Sequence, residues 1–110
     1  MTATPKLGIK SAYQLSGTIG VEDFALPQLP SEMSSFGASR FTVPVGERTP
    51  VDVHPSREFW FIRSGCGELS YAGGKVEVEA GDVVYFEPHH THTIHNNGVR
   101  ELEIFSVWHD

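Results

Sequence analysis

The chain has 110 residues, 39% hydrophobic and 20% charged, a balance that fits one small folded domain and argues against disorder or several domains. Eight Lys and Arg against fourteen Asp and Glu leave a formal charge of -6, which would repel nucleic acid and anionic membranes. No run is long enough to span a bilayer and the start lacks a signal-peptide pattern, so a cytoplasmic protein without nucleic-acid or membrane partners is expected; the single cysteine, Cys66, leaves any metal to His, Asp and Glu.

In chain order, residues 1–12 read as an arm, either flexible or paired as an extra strand with another subunit. Pro27, Pro30, Ser34 and Ser35 then break the next stretch into loop and short edge strands. Strands are predicted over 40–45 and 59–63. The segment 67–82 reads as a hairpin: Leu69 and Tyr71 alternate with polar residues, Ala72 to Gly74 turn the chain, and Val76 and Val78 alternate with Lys75, Glu77 and Glu79. Further strands are predicted over 83–87, 92–96 and 101–108, each bounded by Gly, Pro or Asn. Short strands separated by turns imply an all-β sandwich or barrel.

Four of the six histidines, His89, His90, His92 and His95, crowd into seven residues, and His54 lies upstream. Such density is either a polar turn or a set of imidazoles gathered for a metal. Along a strand, side chains two apart share a face, which groups Asp52 with His54, Glu58 with Trp60, and His92 with Ile94 and Asn96. If these strands neighbour one another in a closed barrel, Asp52, His54, Glu58 and His92 converge on one point. By the same alternation Trp60, Ile62 and Ile94, with Phe41 or Arg40 according to register, would wall a pocket for a small, partly apolar molecule. Arg40 is the one cation placed to meet an anionic group. Glu58 opens an apolar run, where an unpaired carboxylate is costly, so ligation or proton transfer is expected of it. His89 and His95 read as surface residues, Asn96 and Asn97 before Gly98 as turn composition, His109 as tail, and Cys66 has no base beside it.

The stretch 46–65 resembles the first motif of the cupin family: Gly46, then Asp52, His54, Glu58 and Gly65 at the motif's intervals. The stretch 81–96 resembles the second, with Gly81 and Asp82 opening it, a proline near its middle, His92 and then Asn96. Three positions depart from the pattern. Asp52 stands for the first histidine, Glu87 takes the usual proline position with Pro88 one place on, and His89 replaces a glycine. The resemblance spans about half the chain and implies a single small domain over 1–110 with a double-stranded β-helix, or jelly-roll barrel, fold. It also implies one divalent metal inside the barrel, held by His54, Glu58 and His92, with Asp52 as a possible fourth ligand and His90 as a less favoured one. Two imidazoles and a carboxylate suit Fe, Zn, Mn or Ni equally. The function so implied is a metal-dependent enzyme on a small molecule, with Glu58 or Asp52 moving protons. Because some cupin sugar isomerases also lack the first histidine, non-redox isomerase, lyase or cyclase chemistry is favoured over a non-haem Fe(II) dioxygenase or a metal-free sensing module. A homodimer is expected, since small cupins usually pair their sheets.

Overall fold

The computed structural model describes residues 13–15, 21–24 and 36–109, so the arm expected over 1–12 lies outside the described residues. Among the described residues nine strands follow one another: β1 (Tyr13–Leu15), β2 (Val21–Phe24), β3 (Phe36–Val43), β4 (Arg57–Ser64), β5 (Cys66–Tyr71), β6 (Gly74–Glu79), β7 (Val83–Phe86), β8 (His92–His95) and β9 (Leu102–His109). Every pairing is antiparallel, in a six-stranded sheet ordered β1-β2-β3-β9-β4-β7 and a three-stranded sheet ordered β6-β5-β8. This is the all-β jelly roll that the motifs imply. Among the described residues, no helix is long and apolar enough to cross a membrane.

Strict alternation builds the interior. In β4, Glu58, Trp60 and Ile62 turn inward, and in β9 Leu102, Ile104 and Ser106 do so, with Trp60 directly opposite Ser106 and Ile62 opposite Ile104. Phe41 and Val43 from β3, Leu69 and Val78 from the hairpin, Phe86 from β7 and Ile94 from β8 complete the core. Strand β3 starts four residues before the predicted position and ends at Val43, because Pro44 has no amide to extend the ladder. Gly37 in this strand lies beneath the Trp108 indole, where an added Cβ would stand 2.3 Å from the ring.

The hairpin β5–β6 pairs Tyr71 with Gly74, so its turn is the two residues Ala72 and Gly73, both at positive φ (49° and 84°). That is the type I′ geometry whose twist matches the strands.

Strand β8 is buried on successive positions because the segment 44–56 covers its outer edge. Amide-to-carbonyl bonds run Gly46 to Asn96, Asn96 to Glu47 and Thr49 to Ile94, and Asp52 and His92 exchange a reciprocal pair at 3.0 Å. Asn96, read from sequence as turn composition, is fully buried at the end of this seam. Its side chain donates to the carbonyls of Val43 and Arg100 and accepts the amide of Gly98, and so holds the 96–100 turn against β3.

Candidate metal centre

The seam just described sets Asp52 and His92 side by side, and β4 brings Glu58 up from the opposite sheet. His54 lies in the loop leading into β4, four residues before Glu58. The donor atoms of Asp52, His54 and His92 all lie within 4.8 Å of one another, a group that could hold a metal ion. Ligands at about 2.0–2.2 Å from one ion at tetrahedral angles stand about 3.3–3.6 Å apart, so the three donors would close in on an ion as it binds.

Backbone carbonyls decide which imidazole nitrogens face inward. His54 Nδ1 donates to the Ser56 carbonyl at 3.0 Å, and His92 Nδ1 to the His90 carbonyl at 3.3 Å. With Nδ1 protonated in both rings, each Nε2 carries the lone pair, as a histidine ligand requires. Both Nε2 atoms then converge on one carboxylate oxygen, Glu58 Oε1, at 2.7 Å from His54 and 3.3 Å from His92. Two lone pairs aimed at a carboxylate demand a cation among them, either protons on the rings or a metal ion. The donor set, two imidazole nitrogens with carboxylate oxygens, fits a divalent first-row metal.

The second Glu58 oxygen is already occupied. Oε2 accepts the Trp60 indole N–H at 2.9 Å and the hydroxyl of Ser106. Burial opposes ionisation of Glu58, but hydrogen bonds from His92, Ser106, Trp60 and His54 outweigh it and hold the carboxyl at about 2, below its usual 4.5. For His92, burial works against the charged ring, yet the hydrogen bond and charge of Glu58 prevail and raise its pKa above 6.5. The ring is packed as firmly as it is bonded: Phe86 stacks on it at 4.4 Å and Trp60 meets it edge-on at 5.5 Å.

Above the cluster opens a cavity of about 500 Å³, bounded by Val21, Phe41, Pro50, Val51, Trp60 and Trp108 among others, with Asp52, His54, Glu58 and His92 also on its wall. Of the pocket residues expected from sequence, Trp60 and Phe41 line it, whereas Ile62 and Ile94 point into the apolar core and Arg40, the alternative to Phe41, pairs with Glu22 across β2 and β3. His90 is exposed, with its ring against Tyr71, outside the donor group; it contributes its carbonyl to His92 instead. His89 adopts φ 65°, the left-handed conformation that suits the glycine it replaces in the motif.

Ser106 and Trp108 were not singled out from sequence. Ser106 had a signal: it is the one polar residue on the inward face Leu102, Ile104, Ser106 of an apolar strand.

A profile of the cupin domain matches residues 39–108, which include the whole donor cluster. The chain belongs to the cupin family. This cupin is 36% identical over 78 residues to a curated (R)-mandelonitrile lyase of Granulicella tundricola, a match covering 70% of this chain and 57% of that protein. The chain thus matches little more than half the length of that relative. Among solved structures it resembles a predicted oxalate decarboxylase of Thermotoga maritima at TM-score 0.67 and 28% identity, covering 81% of this chain and 79% of the other. A Cupin 2 conserved barrel domain protein of Salinispora arenicola matches at TM-score 0.72 and 24% identity over 99% of this chain and 91% of the other, a likeness of fold.

Proposed function

We propose that this cupin is a metal-dependent lyase that breaks or makes a carbon–carbon bond beside an oxygen-bearing carbon of a small, partly apolar molecule. The observation that carries the reading is the convergence of the His54 and His92 Nε2 atoms on Glu58 Oε1 at the floor of a cavity walled by Phe41, Trp60 and Trp108. The names of the lyase relative and the decarboxylase neighbour support it, since both describe cleavage of a carbon–carbon bond.

His54, His92 and Glu58 would hold the metal, with Asp52 able to join them. When bound, the metal supplies Lewis acidity toward a substrate oxygen. The chain's residues divide the remaining work. Glu58, with Oε2 accepting from Trp60 and Ser106 and Oε1 facing the two imidazoles, acts as a fixed anion. Asp52 is exposed on the cavity wall, its Oδ1 accepting the Val53 amide, and is the group placed to exchange protons. It takes the proton of a substrate hydroxyl as the adjacent carbon–carbon bond breaks and the oxygen-bearing carbon becomes a carbonyl. The bonding pair leaves with the departing carbon, which receives that proton, so no oxidant or reductant is consumed. The aromatic wall excludes water and orients the apolar part of the molecule.

The test is metal content and turnover measured together. Wild-type protein loaded with Mn(II), Zn(II) or Fe(II) should hold about one equivalent and release aldehyde from aryl cyanohydrins, and His54→Ala and His92→Ala should lose both. Full metal occupancy with no carbon–carbon cleavage in any loaded form would overturn the reading. The same two imidazoles and carboxylate suit a ferrous oxygenase, and substrate-dependent oxygen uptake would favour that second reading.

A further inference from the structure

The chain has eight Lys and Arg, of which Lys6 and Lys10 lie outside the described residues. The other six are Arg40, Arg48, Arg57, Arg63, Lys75 and Arg100, and none of them lines the cavity. Three have acidic partners elsewhere: Arg40 with Glu22, Arg63 with Glu103 and Lys75 with Glu68. The cavity wall instead carries two carboxylates, Asp52 and Glu58, and its remaining charge-capable groups are His54 and His92. A divalent ion held by neutral imidazoles is therefore already balanced by Glu58 and Asp52. A carboxylate or phosphate entering this site would bring a negative charge into a half-apolar cleft with no described cation to meet it, beside Asp52 at the rim. A neutral hydroxyl or carbonyl compound meets no such cost, and Phe41, Trp60 and Trp108 offer a face for an aryl group.

We propose that the cavity selects neutral aldehyde- or ketone-derived molecules bearing an aryl or comparable apolar group, and that Asp52 turns carboxylates and phosphates away. This rests on the metal-dependent reading above and separates the two chemistries suggested by similarity: it sides with a neutral cyanohydrin-like substrate against a dicarboxylate such as oxalate.

Mandelamide and mandelate share shape and hydroxyl and differ in charge, which makes them suitable probes. Both tryptophans of the chain, Trp60 and Trp108, line the cavity, so intrinsic fluorescence reports its occupancy. In the metal-loaded protein mandelamide should bind about tenfold or more tightly than mandelate, a gap of about 1.4 kcal/mol or larger. Asp52→Asn should strengthen mandelate binding and narrow that gap. Mandelate binding as tightly as mandelamide, an unchanged gap in Asp52→Asn, or no response to either probe at millimolar concentration would each overturn the proposal. Preference for mandelamide in a protein without lyase turnover would sink the lyase reading and leave the charge selection standing.

Discussion

Replacing Ser106 by alanine tests how the barrel holds its central carboxylate. Glu58 is buried and kept at about 2 instead of 4.5, a displacement corresponding to about 3 kcal/mol of stability in the metal-free protein near neutrality. Ser106 supplies one of the four hydrogen bonds responsible, and its hydroxyl is itself buried. A hydrogen bond to a charged group contributes about 1.5–3 kcal/mol, and the vacated hydroxyl leaves Oε2 with Trp60 alone. Ser106→Ala should therefore cost about 2 kcal/mol, a fall in melting temperature of roughly 8–16 °C for a domain of this size. Because the folded-state pKa of Glu58 lies below its unfolded value, the stabilisation is complete above about 4.5 and is lost as the pH falls through about 2. The deficit of the variant should follow the same course, largest near neutrality and shrinking in acid. Thermal unfolding in chelator across that range reads it directly. A variant as stable as wild type near neutrality would refute the assignment of Ser106 as the group that fixes Glu58.

Two further outcomes are expected. Ala72→Asn should stabilise the protein by about 0.5–1 kcal/mol in urea unfolding, since Asn-Gly meets the positive φ of both turn positions better than Ala-Gly. Metal affinity should fall as the pH drops through the raised pKa of His92, beginning above 6.5, because the proton favoured by Glu58 competes for Nε2; Zn(II) titration against a competing chelator at several pH values measures it, and Glu58→Gln should move the onset to lower pH.

Much of this architecture is written in alternation. The inward faces of β4 and β9 and the β5–β6 hairpin follow from apolar residues two apart bounded by glycine and proline, and they appear within a few residues of their predicted positions. Strand β3 was harder, because Phe36–Ser39 carries Gly and Ser that read locally as loop. The smallness of Gly37 answers to Trp108, about seventy residues away. For the site, Asp52, His54, Glu58 and His92, which the motif spacing groups, do share one cavity wall, yet His54 and Asp52 stand in a loop rather than on a strand. What brings them together is the hydrogen-bonded seam to β8, which no local pattern encodes. The partners of Glu58 Oε2 and the carbonyls that set the imidazole tautomers are tertiary facts of the same kind. Ile62 and Ile94 share the inward face of the cluster but sit deeper, so alternation gives their side and not their depth.

The segment 44–56 is stitched to β8 through its backbone at Glu47, Thr49 and Asp52, while Val51 and Val53 remain largely exposed between and beyond those rungs. Attachment by main-chain atoms is indifferent to side-chain identity, apart from proline. The Thr49 hydroxyl, which accepts the Ile94 amide from the cavity wall, is the exception; at Val51 and Val53 the strap can change its side chains while the distance between Asp52 and His92 stays fixed. Mutational drift at Val51 would reshape what enters the cavity without loosening the donors beneath it, a division of labour that lets one barrel acquire new substrates faster than it loses its chemistry.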